Sequence, residues 1–392
     1  MKSDGMKALT GAYAIAEAMR QIEPDVVAAY PITPQTPIVE QFAKFVANGV
    51  VRTKMIRVES EHSAMSACIG ACAAGARAMT ATSSAGLALM WEMLGVASGL
   101  RLPIVMAVAN RALSAPINIH CDHSDSMGAR DHGWIQIYSE NAQEAYDNFI
   151  MAVKIAEHRD VMLPVMVMQD GFITSHGVQN VTLLEDNIVG DFVGSYEPPY
   201  TLLDTKNPVT FGSIQLQDFY FETKRQQEHA METAKSVIKE VADEFWHVSK
   251  RRYGYFERYK LEDAEAVIVT MSSTAGTTKA VIDRMRARGK KVGLLKIRVF
   301  RPFPYKEIAA ALKDTSYIGV LDRSMSYGAY PPLYTEIRNA LYSLTSRPKV
   351  QSYVFGLGGR EITENEIENV FNELLEGELT ESMKYIGCRG EE

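Results

Sequence analysis

Side chains able to do acid–base or anion-binding chemistry recur in one setting in the first 200 residues, directly after a short apolar run. VVAAY leads into Pro31-Ile32-Thr33, MIRV into Glu59-Ser60-Glu61-His62, and AMTAT into Ser83-Ser84. IVMAV leads into Asn110-Arg111, and PVMVMQ into Asp170-Gly171. Glu61 opens a small-residue helix with Ser60 as its cap, and a partly buried carboxyl group there suits a lasting hydrogen bond to a heteroaromatic nitrogen. Glu59 or Glu61 equally suits a helix N-terminus, where the dipole favours negative charge. The Arg111 guanidinium, beside apolar walls, is shaped to grip a carboxylate through two parallel hydrogen bonds. The alternative for Arg111 is an ion pair with Asp122, Asp125 or Glu61. Thr33 sits in the double-proline turn Tyr30-Pro31-Ile32-Thr33-Pro34, which either aims its hydroxyl at the same place or uses it only as a turn residue. The segment His120-Cys121-Asp122-His123-Ser124-Asp125 has metal-ligand types but the spacing of no regular zinc site, and reads as a polar loop flanking a pocket.

These residues need elements that bring them together. Each apolar run has the length and β-branched content of a buried parallel strand, and most are followed by a helical pattern. Open α/β sheets bind ligands outside the carboxyl ends of their strands, so the polar residues collect along one edge. Residues 1–200 read as one such βα domain, in which ALTGAYAIAEAMRQI looks like an amphipathic helix. Residues 201–262 read as an irregular connector followed by a charged helix over about 223–250. Residues 263–392 show a second α/β pattern: AEAVIVTMSS, a helix over about 275–288, KKVGLLKIRVF, IGVLDRS, PLYTEIRNALYSL, VQSYVFGLGG and TENEIENVFNELLEG.

Composition narrows the function classes. Hydrophobic content of 46%, charged content of 23% and 392 residues fit a large globular chain, and a formal charge of −7 argues against general nucleic-acid binding. No apolar run reaches the ~18 residues of a membrane helix, and the first residues lack a signal-peptide progression, so a cytoplasmic, membrane-free protein is expected. Four cysteines, Cys68, Cys72, Cys121 and Cys388, make no disulfide framework and no iron–sulfur series. Cys68 and Cys72 read as small core residues one helical turn apart. Gly356-Leu357-Gly358-Gly359 is not a dinucleotide fingerprint, and reads as a tight turn before the last helix. With no Walker motif and no glycine fingerprint, an NAD-dependent dehydrogenase is disfavoured.

The same segments carry a resemblance. YPITPQT at 30–36, ESEHSAMSACIGACAAGARAMTATSSAGLALM at 59–90, LPIVMAVANRALSAPINIHCDHSD at 102–125 and DGFITSH at 170–176 resemble the α subunit of 2-oxoacid:ferredoxin oxidoreductases, the pyruvate-using branch above all. RVFRPFP, IGVLDRS and FGLGGR extend the likeness through the later stretch. The resemblance implies an α/β chain: a pyrimidine-type thiamine-diphosphate-binding parallel-sheet domain, then a transketolase C-terminal-like domain. It implies that Glu61 bonds the cofactor's aminopyrimidine ring, that Ile32 contacts the cofactor, and that Thr33 and Arg111 bind substrate. No residue here is implied as a metal ligand. The diphosphate and its Mg2+ are expected on a β chain and the iron–sulfur clusters on β- and δ-type chains, with β, γ and δ-type subunits as the partners. Ferredoxin is the expected electron acceptor, and coenzyme A the acyl acceptor. Ala112, Leu113 and Pro116 make small walls compatible with pyruvate; branched-chain 2-oxoacids, 2-oxoglutarate or oxalate are the alternatives, and a non-catalytic assembly subunit is the reading from another class.

Overall fold

The computed structural model describes residues 5–390. Its first sheet has seven strands in the order Val299–Arg301, Ile135–Ser139, Val165–Asp170, Val105–Asn110, Ala78–Thr82, Val26–Ala29 and Lys54–Arg57. All are parallel except Val299–Arg301, which pairs antiparallel with Ile135–Ser139. The five expected runs are all strands. Four are buried; Lys54–Arg57, at the sheet edge, is half exposed. Ile135–Ser139 is a sixth parallel strand, polar at Gln136 and Ser139 yet buried throughout. Its Gln136 Nε2 donates to the carbonyl of Ser126 at 2.8 Å, while Oε1 is buried without a partner among the described residues.

Alternation along each strand sorts side chains to two faces. Val105, Ala107, Val165 and Val167 face a layer formed by the helices Gly11–Ile22, Ala142–Glu157 and Tyr220–Ser249. Met106, Val108, Met166 and Met168 face the helix Glu61–Ala73 and a core shared with Val267, Val269, Leu295 and Ile297 of the second sheet. The second sheet runs Lys384–Tyr385, Lys349–Val354, Tyr317–Asp322, Ala266–Met271, Val292–Ile297 and Phe256–Tyr259, with only the last strand antiparallel. Its far face packs on the helices Thr274–Ala287 and Glu364–Glu376, the latter opened by a Thr363–Glu366 capping box and closed at Gly377. The chain is therefore α/β with two largely parallel sheets sharing a central core.

Two segments differ from their sequence pattern. Ala8, Leu9 and Thr10 extend a strand, Met6–Thr10, that pairs with Val178–Thr182, and Thr10 then caps the helix from Gly11. KKVGLLKIRVF divides at Arg298. Val292–Ile297 belongs to the second sheet, whereas Val299–Arg301 crosses to the edge of the first. Arg298 is 2% exposed and donates to Asn148 Oδ1 at 2.7 Å and to the Gly254 carbonyl at 2.9 Å. A buried guanidinium needs such acceptors, and they lie beside the first sheet. Lys296 likewise reaches Glu140 and Glu144, which follow the first sheet's strand Ile135–Ser139, and Glu257 in the second sheet's edge strand, at 2.6 to 2.7 Å.

Candidate functional site

Because six strands of the first sheet run parallel, their carboxyl ends share one edge, and the residues that follow them meet there. Thr33 and Arg111 come together directly: Arg111 Nη1 donates to the Thr33 carbonyl oxygen at 2.9 Å, and Nε donates to the Asn118 carbonyl at 2.9 Å. Arg111 is only 7% exposed. None of the three carboxylates considered for it, Asp122, Asp125 and Glu61, pairs with its guanidinium; Asp125 instead accepts from the Arg111 backbone N–H at 3.0 Å. Among the described residues the buried cation thus has carbonyl partners and no counterion, which leaves it suited to an incoming carboxylate.

The turn holding Thr33 is fixed by Gln35, whose amide donates to the Ala81 carbonyl at 3.0 Å and whose Oε1 accepts from the Ile32 N–H at 3.2 Å. The Thr33 side chain is exposed and Ile32 is half-buried. The Ile32 carbonyl accepts from the Gln35 and Thr36 N–H groups, so what Ile32 presents outward is its apolar side chain.

Glu61 begins its helix after Ser60, which caps the Ser63 N–H at 3.2 Å. Ser63 in turn donates to Glu59 at 2.5 Å, so the cap engages Ser60 and Glu59 and leaves Glu61 without a hydrogen-bond partner among the described residues. Glu61 is 5% exposed and lies against Gly86, where an added Cβ would fall 2.6 Å from Glu61 Oε1 and from Thr82 Oγ1. The Thr82 and Ser83 hydroxyls nearby are buried and unpartnered. A buried carboxylate with nothing to bond costs free energy unless a ligand supplies a donor. These residues fit one end of an aminopyrimidine; among the described residues no pattern beside them cradles a diphosphate.

A buried polar hub supports both halves. Asp125 accepts from the Ser84 N–H at 2.9 Å, Asn110 Nδ2 at 2.8 Å, Ser126 N–H at 2.7 Å and Arg111 N–H. Burial pushes its carboxyl up to about 6, against these donors. Asp170 joins the two sheets: His123 Nε2 donates to it at 2.8 Å and Arg323 Nη1 at 2.9 Å, with the Ser273 hydroxyl as a further donor. Burial opposes its charge, yet the Arg323 guanidinium and His123 hold it well below the usual carboxylate range. Cys121, His123 and Asp170 have ligand atoms within 4.8 Å of one another, but Arg323 already supplies the cation there. The loop 120–125 is thus pinned beneath the site. Ala112 is buried with its carbonyl accepting from Ser84 Oγ at 2.6 Å, Leu113 is half-buried and Pro116 exposed. Cys68 and Cys72 are core residues; burial raises Cys68 to about 12 and Cys72 further.

Sequence reasoning left several of these unassigned. Gln35 and Gly86 lie inside quoted segments, but their roles depend on contacts distant in the chain. Arg323 carries the same signal as Arg111, a cation directly after an apolar strand, and that rule applied to IGVLDRS finds it.

Comparison with known proteins bears on the family and the fold. Residues 17–243 match the family described as "Pyruvate flavodoxin/ferredoxin oxidoreductase, thiamine diP-bdg", and residues 264–367 match "Pyruvate:ferredoxin oxidoreductase core domain II". The chain is 58% identical to the pyruvate synthase subunit PorA of Thermotoga maritima, covering 97% of this chain and 98% of that one. It is 51% identical to PorA of Methanocaldococcus jannaschii, covering 98% of each, and 44% identical to the ketoisovalerate oxidoreductase subunit VorA of Pyrococcus abyssi, covering 94% and 93%. The fold is shared with a 2-oxoglutarate:ferredoxin oxidoreductase from Magnetococcus marinus, at a TM-score of 0.75 and 20% identity over 96% of this chain and 66% of that one. A split-gene transketolase shares it at a TM-score of 0.56 and 10% identity, over 94% of this chain and 99% of that one. With its first domain matching a thiamine-diphosphate-binding family over more than half its length, and subunit relatives matched end to end, this chain belongs to the 2-oxoacid:ferredoxin oxidoreductase family.

Proposed function

We propose that the chain is the α subunit of a multisubunit pyruvate:ferredoxin oxidoreductase, which oxidatively decarboxylates pyruvate with coenzyme A to acetyl-CoA, CO2 and reduced ferredoxin, reversibly. The observation that carries this is a pair of opposite, unsatisfied charges on one sheet edge: the buried Arg111 guanidinium without a counterion and the buried Glu61 carboxylate without a donor. In this reading Glu61 accepts from or donates to the aminopyrimidine ring, and Arg111 holds the 2-oxoacid carboxylate bidentately. Thr33 offers its exposed hydroxyl beside that carboxylate, and Ile32 presents an apolar wall to the cofactor. Thiamine diphosphate, when bound, supplies the electron sink that lets the carboxylate leave as CO2. Burial around Arg111 and Glu61 keeps water from competing for both groups.

Partner subunits complete the enzyme. The diphosphate and Mg2+ belong on a β chain and the clusters on β- and δ-type chains, with a γ chain alongside. Support on this side is a cluster of exposed apolar side chains around the connector, Tyr200, Leu203, Ile214, Phe219 and Phe221, with Ile214 at 92% exposure. No helix among the described residues is long and apolar enough to cross a membrane, and a cytoplasmic complex is the setting proposed. Pyruvate is favoured over branched 2-oxoacids, 2-oxoglutarate and oxalate because the relatives with the highest identity reported above are pyruvate synthase subunits.

Anaerobic purification with co-purifying chains, followed by viologen reduction, tests the reading. Reduction with pyruvate that needs thiamine diphosphate, coenzyme A and the partner chains is the expected result. Turnover restricted to 2-oxoisovalerate or 2-oxoglutarate moves the substrate, and an assembled complex inert to every 2-oxoacid overturns the catalytic role.

A further inference from the structure

The second domain reaches the proposed substrate grip through Asn118. Arg111 Nε is aimed by the Asn118 carbonyl, seven residues on in the chain. Asn118 is itself held from the other domain: its Nδ2 donates to the Gly358 carbonyl at 3.1 Å, while its Oδ1 accepts from the His120 N–H at 2.7 Å. Two further bonds close the same turn over the loop, from the Gly358 N–H to Asp122 Oδ2 at 3.2 Å and from the Gly359 N–H to the Cys121 carbonyl at 2.6 Å. Only glycine allows this approach. Gly358 has φ 60°, and a Cβ there would sit 2.4 Å from Asn118 Nδ2.

We propose that Asn118 is a positioning residue for Arg111, and that the Gly356–Gly359 turn of the second domain acts through it to set affinity for the 2-oxoacid carboxylate. A guanidinium has five N–H donors in a rigid fork, so fixing Nε and Nη1 fixes where the remaining donors point. Thr33 and Asn118 supply those two acceptors, one from each side. The loop 112–120 is otherwise largely exposed, with Ile117 at 78%. Without the Gly358 bond the Asn118 carbonyl loses its anchor, and the fork loses one of its two guides. The second domain thereby tunes substrate binding without contributing an atom to it.

The inference rests on Arg111 being the carboxylate grip, and the test separates the two. Asn118→Asp in the assembled enzyme keeps the acceptor for His120 N–H and replaces the donor to Gly358 with a charged acceptor that repels the Gly358 carbonyl. It is expected to raise the KM for pyruvate about ten-fold, the worth of one well-placed bond to a charged group, with kcat and the thiamine diphosphate requirement unchanged. In an Arg111→Ala background the same substitution is expected to add nothing. An unchanged KM, or an equal loss in the Arg111→Ala background, overturns the positioning role. An Arg111→Ala enzyme with wild-type KM overturns the grip itself, and the positioning role with it. If Asn118→Asp does not assemble, Gly358→Ala, which crowds the Asn118 amide without touching Arg111, reads the same KM-against-kcat split.

Discussion

Arg111 and Thr33, 78 residues apart in the chain, are joined by a 2.9 Å hydrogen bond from Nη1 to the threonine's carbonyl oxygen. The bond uses backbone, so it does not consume the hydroxyl of Thr33, which is an exposed residue. It also shows why the strand order matters. The strands ending before these residues, Val26–Ala29 and Val105–Asn110, are separated by Ala78–Thr82. The turn after Val26–Ala29 must therefore lean across that neighbour, and the Gln35 bond to Ala81 is what holds it over.

Replacing Arg111 probes the grip. Arg111→Ala is expected to lower kcat/KM for pyruvate by about 100-fold, near the value of a bidentate charged pair, mostly through KM. Arg111→Lys is expected to recover little, because an ammonium is a point charge and cannot satisfy Thr33, Asn118 and a carboxylate in one plane. Steady-state kinetics over a pyruvate series read both, and a lysine variant at wild-type kcat/KM would contradict the fork geometry.

Glu61→Gln keeps the shape and removes the charge. Turnover is expected to fall by about 10²–10⁴-fold, the range for losing one acid–base group, while partner chains still co-elute. Near-normal turnover in the assembled enzyme would sink the cofactor role given to Glu61.

Much of this edge was legible because parallel strands buried on both faces announce themselves as continuous apolar runs, and polarity at their ends stands out. Glu61, Thr33 and Arg111 were visible for that reason. Ile135–Ser139 was hidden, since Gln136 and Ser139 break the apolar run and find their hydrogen bonds only with tertiary partners, Ser126 and Asn148. The crossing at Arg298 was hidden too: VGLLKIRVF is one run to the eye, and only the positions of Asn148 and Gly254 reveal where the guanidinium must go. Asp170 was flagged at its strand end, but its meaning as the bond between sheets needs Arg323 and Ser273, more than 100 residues later. Local pattern specifies which residues end up at an edge; long-range pairing decides what they meet.

Asp322 gives the fold a pH dependence of definite sign. Burial raises its carboxyl to about 7, against the Leu333 and Tyr334 N–H groups that bond it at 2.8 and 3.0 Å. Unfolded, an aspartate ionises near about 3.9. Between the two values the folded chain keeps a proton that the unfolded chain has lost, so this contribution is full below about pH 4 and is lost as pH rises through about 7. Asp322→Asn removes the titration and keeps an acceptor. Urea midpoints measured across that range are expected to shift in the variant's favour as pH rises, and a difference independent of pH would show that Asp322 does not titrate there.

Gly86→Ala tests the seat of Glu61 without altering Glu61. In a helix, alanine is ordinarily favoured over glycine by about 1 kcal/mol, so propensity alone forecasts a more stable chain. Here the new Cβ would lie 2.6 Å from Glu61 Oε1, 2.6 Å from Thr82 Oγ1 and 2.9 Å from Glu61 Cγ. No real contact is that short, so the Glu61 side chain must swing away, and it is free to do so because nothing bonds its carboxylate. The expected outcome is a folded, assembled enzyme that needs more thiamine diphosphate for half-activation and turns over more slowly. Combined with Glu61→Gln, the glycine substitution is expected to add little further loss, since both act on one carboxyl group. Cofactor titration of the apoenzyme reads the effect directly. Wild-type half-activation in Gly86→Ala would mean that the position of Glu61 against this glycine has no part in cofactor binding.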